Sequence, residues 1–249
     1  MGGHILDISA STRRGFIAAL FGMGMLGSRL LAATESPLPL PDRPLRLTRV
    51  LVRGLGDSGS SAITVRRWWD VAFERQGRGI VVSGRQTGAE VDAPPNLAAI
   101  ARIEQQRDAS GMLPLMLSDR GAMITAPAAL GDSDTVSAAL RAAEGVIARQ
   151  MGLPADDRAR IRYYLAEMHR AGSGLLEVLP DDLLFPSGPP VERRESVTLP
   201  DGLTGQFALR YKAEPQPDAP WLARAERQVV TSVGGFDRQA AETWTLGSI

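Results

Sequence analysis

Two stretches of this chain alternate apolar and polar residues at period two, and tight glycine turns close them into ribbons. In "AITVRRWWDVAFERQ", Ile63, Val65, Trp69, Val71 and Phe73 share one side, with Arg67 the single interruption, while Thr64, Arg66, Asp70 and Glu74 share the other. In "LTGQFALRYKAE", Leu203, Phe207, Leu209 and Tyr211 alternate with Thr204, Gln206, Arg210 and Lys212. Period two places successive side chains on opposite faces of a strand, so each stretch is a strand with one covered face and one wet face. The punctuation agrees. "GRG" at 77–79, Asp201-Gly202 and Gly234-Gly235 are residues that tolerate the positive φ of a hairpin turn. Sequential hairpins build an antiparallel sheet.

The remaining segments fill in the layers. "LRLTRVLVRG" (45–54) is a further strand, and "IVVSGRQTGAEVDA" follows the first turn as its partner. Pro94 and Pro95 open a short helix on which Leu97, Ile100 and Ile103 repeat every three residues, and Gly111 ends it. "MLPLMLSDRGAMI" suggests two short strands around Asp119-Arg120-Gly121. A helical hairpin is expected at about 133–172. Its first helix is capped by Asp132 or Ser133 and carries the stripe Val136, Ala139, Leu140, Ala143, Val146 and Ile147. Gly152-Leu153-Pro154 breaks it, and a second helix with Ile161, Tyr164, Leu165 and Met168 on one side stops at Gly172. "LLEVLP" and "DLLFP" are expected as short strands, before the two last hairpins. The fold class is therefore α+β: a curved, mostly antiparallel sheet of about 9–10 hairpin-connected strands, with three helices packed on one face.

The N-terminus has a different character. In "TRRGFI", Arg13 and Arg14 stand together and Phe16 follows two places on. The run from Gly15 to Gly27 is uncharged but too short to cross a bilayer, and small residues follow at Ala32 and Ala33. This order resembles a twin-arginine signal peptide. The resemblance implies recognition of Arg13, Arg14 and Phe16 by the twin-arginine export machinery and a periplasmic location. An uncleaved signal would instead tether the chain to the membrane. The expected organisation is a signal peptide at 1–33, a proline-rich linker at 34–44 and one α+β domain at 45–249. "SPLPLPDRP" in that linker reads as extended and exposed.

Composition narrows the chemistry. The chain holds 28 basic and 28 acidic residues, and near-neutrality with mixed signs argues against a nucleic-acid partner. There is no cysteine, so thiol catalysis, disulfides and thiolate metal sites are excluded. Lys212 is the single lysine. No phosphate loop, zinc signature or calcium loop is present, and neither metal nor cofactor is expected.

The sharpest catalytic candidate is Asp57. "GDSGSS" resembles the Asp-Thr/Ser-Gly loop of pepsin-like and retropepsin-like aspartic proteases, which work through two carboxylates sharing one proton. A second such loop is absent, so a homodimer would have to supply the partner carboxylate. The ordinary role of these residues is a polar hairpin tip. His169 lies near a helix end without a positioned partner and is expected to meet helix carbonyls. Ser173 lacks a nucleophile-elbow context. Asp156-Asp157 suits a helix first turn, and Asp181-Asp182 suits a loop. Trp68 and Trp69, adjacent on a strand, must point to opposite faces.

A hairpin-built curved sheet under a helical lid is similar in architecture to the half-barrel carriers that move lipoproteins or lipids through the periplasm. The resemblance implies a non-enzymatic carrier, binding or envelope-maintenance role, with an apolar ligand or lipidated partner between sheet and helices. Trp69, Phe73, Phe207 and Tyr211 are then the expected contacts. Two alternatives stand beside it. One is a periplasmic hydrolase using Asp57 in a homodimer. The other is an interaction module pairing through a strand edge. Arg66, Arg67, Arg193, Arg194 and Arg210 are then candidates for guarding edges against unwanted pairing.

Overall fold

A computed structural model of the chain describes residues 36–55, 61–124, 133–149 and 156–249. Arg13, Arg14, Phe16 and Asp57 lie outside the described residues. The chain first makes three strands, β1 (Leu45–Leu55), β2 (Ser61–Gln76) and β3 (Gly79–Asp92). A short helix, α1 (Ala98–Gln106), and a three-residue strand, β4 (Leu115–Leu117), follow. Helices α2 (Ser133–Arg149) and α3 (Asp157–Gly174) come next. Four strands complete the fold: β5 (Val191–Thr198), β6 (Thr204–Gln216), β7 (Ala219–Val233) and β8 (Phe236–Ser248).

All eight strands form one antiparallel sheet in the order β4-β3-β2-β1-β8-β7-β6-β5. Each half is a run of hairpins, and the pairing of β1 with β8 sews the halves together. The sheet is not closed; β4 and β5 are its edges. The turns obey their residues. Gly234 and Gly235 take φ of 56° and 82° between paired Val233 and Phe236, and Asp201 and Gly202 take 63° and 73°.

Among the described residues the sheet has eight strands, against the expected nine or ten. The second strand expected after Asp119-Arg120-Gly121 contracts to a single bridge between Leu117 and Met123. "LLEVLP" forms a 3-10 turn over Leu175–Glu177, and "DLLFP" is a loop. Leu183, Leu184 and Phe185 are all buried, which period-two alternation would forbid for consecutive residues on a half-wet strand.

One face of the sheet is covered, by two separate apolar cores. Under α2 and α3, Leu140, Ile147, Tyr164, Leu165 and Met168 meet Phe207, Leu209, Val229 and Val233. Toward β2–β4, Leu47, Trp69, Val71, Ile80 and Val82 meet Leu117, Leu184, Phe185 and Trp244. Helix α3 starts on Asp156, whose side chain accepts from the Ala159 N–H at 2.8 Å. It lies so close to the sheet that a Cβ on Gly172 would sit 2.1 Å from Phe207 Cε2. The linker is only partly exposed: Leu38 and Leu40 pack on the second core, and the Leu38 carbonyl accepts from Arg75 at 2.6 Å.

Helix α1 differs from its expected packing. Ile100 and Ile103 are 55% and 70% exposed, while Leu97, Ala101 and Glu104 turn partly inward. The inward stripe is i, i+4, i+7 instead of i, i+3, i+6. Arg67 on the sheet decides this by binding Glu104.

Candidate functional site

The two cores are separated because four neighbouring strands each place a charged residue at a covered position. On β1, Arg49 falls between Leu47 and Leu51; on β2, Arg67 falls between Val65 and Trp69. On β8, Glu242 falls between Ala240 and Trp244; on β7, Arg227 falls between Ala225 and Val229. Register aligns them: Arg49 faces Arg67, Glu242 faces Arg227, and Arg227 faces Tyr211 on β6. A polar belt therefore crosses the covered face.

Each member is tied down, as burial of charge demands. Arg49 donates from Nε and Nη2 to Glu242 Oε2 at 2.9 and 2.6 Å, and from Nη2 to the Leu176 carbonyl at 2.6 Å. The same guanidinium lies 5.0 Å from the centre of the Trp244 ring, which stacks on Trp69 at 6.1 Å. Glu242 also pairs with Arg227, and Arg227 Nη1 donates to the Val178 carbonyl at 2.8 Å. Burial pushes the Arg227 guanidinium below its ordinary pKa, against the pull of Glu242. Carbonyls of residues 176 and 178 thus serve arginines in place of a strand partner, which is why "LLEVLP" does not join the sheet. At one end of the belt the Tyr211 hydroxyl donates to Asp182 at 2.8 Å. Burial raises that phenol's pKa, and Asp182 adds to the rise.

At the other end the belt opens into a cavity of about 530 Å³. Arg49, Arg53, Arg67 and Arg107 reach it, facing Glu104, Asp108 and Glu177. Leu51, Trp69, Met112 and Leu179 supply apolar wall. Arg67, on an interior strand, gives Nη1 to Glu104 Oε1 at 3.1 Å and Nη2 to the Glu104 carbonyl at 2.7 Å. The Trp69 indole donates to the Ala109 carbonyl at 3.3 Å, and the Ala109 N–H donates to Gln86 Oε1 at 2.8 Å, fixing the cavity's far rim. Asp108 accepts from the Ser110 N–H at 2.8 Å, and hydrogen bonding from Ser110 holds its carboxyl below the usual range. Two other hollows, of about 600 and 450 Å³, lie among outward side chains of the sheet such as Arg210, Lys212, Gln228 and Arg194, Gln206, Ser232.

The structure brings only Trp69 of the expected ligand contacts to this cavity. Tyr211 belongs to the same apolar core, with Phe73 packed at its margin edge-on to Phe185 at 5.8 Å. Phe207 belongs to the other core, beyond the belt. Arg66 and Arg67 are on interior strand β2, so neither guards an edge, whereas Arg193 and Arg194 are on edge strand β5. His169, expected to meet helix carbonyls, places its Nδ1 3.3 Å from Thr231 Oγ1 on β7. Burial, with repulsion from Arg238 and Arg53, pulls its pKa down to about 4. Among the described residues, no group of three or more histidine, aspartate or glutamate side chains is arranged to hold a metal. Among them too, no helix is long and apolar enough to cross a membrane.

The arginines of the belt are the functional candidates that sequence reasoning missed. Their signal was present as a charged residue at the apolar register of each strand, of which only Arg67 stands out in the sequence as an interruption. No protein-family model matches this chain, and comparison with curated proteins gives no match.

Proposed function

We propose that this chain is an exported, non-enzymatic carrier or binding protein for an apolar ligand or a lipidated partner, working in the periplasm as an open half-barrel. The observation that carries the reading is the cavity of about 530 Å³ on the covered face of the sheet, within the size range of small-molecule sites. Two features favour binding there over catalysis. Its wall is mixed, with Leu51, Trp69, Met112 and Leu179 beside charged groups, a surface suited to a ligand that has both an apolar and a polar part. Two of its three carboxylates are engaged, Glu104 on Arg67 and Asp108 on Ser110, which leaves no free pair to share a proton. The twin-arginine resemblance at Arg13, Arg14 and Phe16 supports export, and retention of that segment would hold the carrier at the membrane. The pairing alternative finds less support, because edge strand β5 presents Glu192, Arg193, Arg194 and Glu195.

Native mass spectrometry of the chain purified from the periplasm tests the reading. A co-purifying lipid or lipidated peptide, released on unfolding, is expected. A protein that is bare after gentle extraction, and that takes up no lipid from vesicles, would refute it.

A further inference from the structure

We propose that the cavity selects an amphipathic anion, gripping a carboxylate or phosphate head with Arg67, Arg49, Arg53 and Arg107 while the hydrocarbon lies along Trp69, Met112 and Leu179. The inference rests on the binding reading above and adds the chemistry of the head group. Three observations converge on it.

The first is an unmet donor. Arg67 is only 7% exposed and lines the cavity, yet its Nε has no hydrogen-bond partner. A guanidinium carries five N–H donors in a fixed fork, and a buried donor left unmade is costly. That Nε is itself buried, so a carboxylate or phosphate oxygen supplies what it lacks only when the guanidinium turns toward the cavity.

The second is charge. Four arginines face three carboxylates around the cavity. Arg49 shares Glu242 with Arg227, a further two-to-one arrangement immediately behind the wall. Counting Arg227 and Glu242, five cations meet four anions, and one negative group balances them.

The third is the looseness of the rim. Arg53 stands 4.0 Å from Glu177 and Arg107 stands 3.9 Å from Glu104, and both arginines are well exposed. Ion pairs of that length at the surface hold little, so either side chain can turn to a ligand at low cost. Arg49 and Arg67, by contrast, are anchored by short bonds and preset the deep end of the site.

The test uses the full chain stripped of bound lipid. Tryptophan quenching is followed with dibromostearate, with its methyl ester, and with inorganic phosphate as a competitor. Bromine on a bound chain quenches Trp69. The free acid should bind about tenfold more tightly than the ester, the worth of one charge-assisted contact. Arg53→Gln combined with Arg107→Gln should weaken the acid about tenfold and leave the ester unchanged. Arg67→Met should do the same; if it fails to fold, the exposed pair carries the test alone. Equal binding of acid and ester would overturn the anion inference while leaving the carrier reading intact. Absence of quenching by either probe would overturn both. Displacement by inorganic phosphate at the concentration where the acid itself binds would overturn the amphipathic choice, because a free anion would then suffice.

Discussion

Replacing Glu242 with glutamine tests whether the belt is a compensated charge system. The Glu242 side chain is wholly buried, and that of Arg227 is 1% exposed. Glutamine keeps the shape and removes the charge. Arg49 is partly exposed and can turn to water, but Arg227 cannot. Leaving one partner of a buried pair uncompensated costs roughly 3–5 kcal/mol, a large part of the 5–15 kcal/mol that holds a typical domain together. Urea unfolding followed by tryptophan fluorescence reads the loss, since Trp244 lies two residues away and stacks on Trp69. With a urea slope of about 2–3 kcal/mol per molar, the midpoint should fall by roughly 1–2.5 M. Arg227→Met combined with Glu242→Leu removes both charges and should recover to within about 1 kcal/mol of the parent. A single variant losing less than about 1 kcal/mol, or a double variant as unstable as the single, would refute the idea that Arg227 needs Glu242.

Gly172→Ala should press a methyl into Phe207 and lift α3 from the sheet, costing about 2–3 kcal/mol as core overpacking does; an unchanged melting temperature would contradict that packing. For His169, the folded chain binds the proton near pH 4 and the unfolded chain near 6.5. Stability is therefore complete above 6.5 and declines as pH falls toward 4, by at most about 3 kcal/mol and by roughly half that once the partly wet ring is screened. His169→Gln should flatten that part of the urea-midpoint profile, and identical profiles would sink the assignment. Tyr211→Phe removes the hydroxyl donated to Asp182 and should cost about 1 kcal/mol in the same urea assay, with no loss meaning that water replaces it freely.

What the sequence discloses here is what short-range rules govern. Alternation identifies β2 and β6, and Gly77-Arg78-Gly79 and Asp201-Gly202 mark their turns, because strand period and turn φ are local properties. Helices α2 and α3 follow from apolar spacing and from the acidic pair Asp156-Asp157 that suits a helix first turn, for the same reason. The belt is different. Arg49 and Glu242 are 193 residues apart, and only the β1–β8 pairing makes them neighbours. An inward arginine without its partner looks like a flaw in a strand. The same blindness affects α1, where the ion pair from Arg67 to Glu104 outweighs the burial of Ile100 and Ile103. It also affects residues 175–185, where the carbonyls of Leu176 and Val178 are claimed by arginines of distant strands. The expected contacts Trp69, Phe73, Phe207 and Tyr211 share one face of the sheet, as alternation implies, yet the belt divides that face and only Trp69 reaches the cavity.

The central claim is that ligand enters at the arginine end of the belt, and the indole N–H signals of the four tryptophans in a nitrogen-15 correlation spectrum test it. On titration with oleate, the Trp69 signal should shift, because its N–H donates to Ala109 at the cavity rim. Trp68, on the opposite face over Gly88, should stay in place. A shift confined to Trp68 or Trp221, with Trp69 unmoved at saturating lipid, would contradict the account.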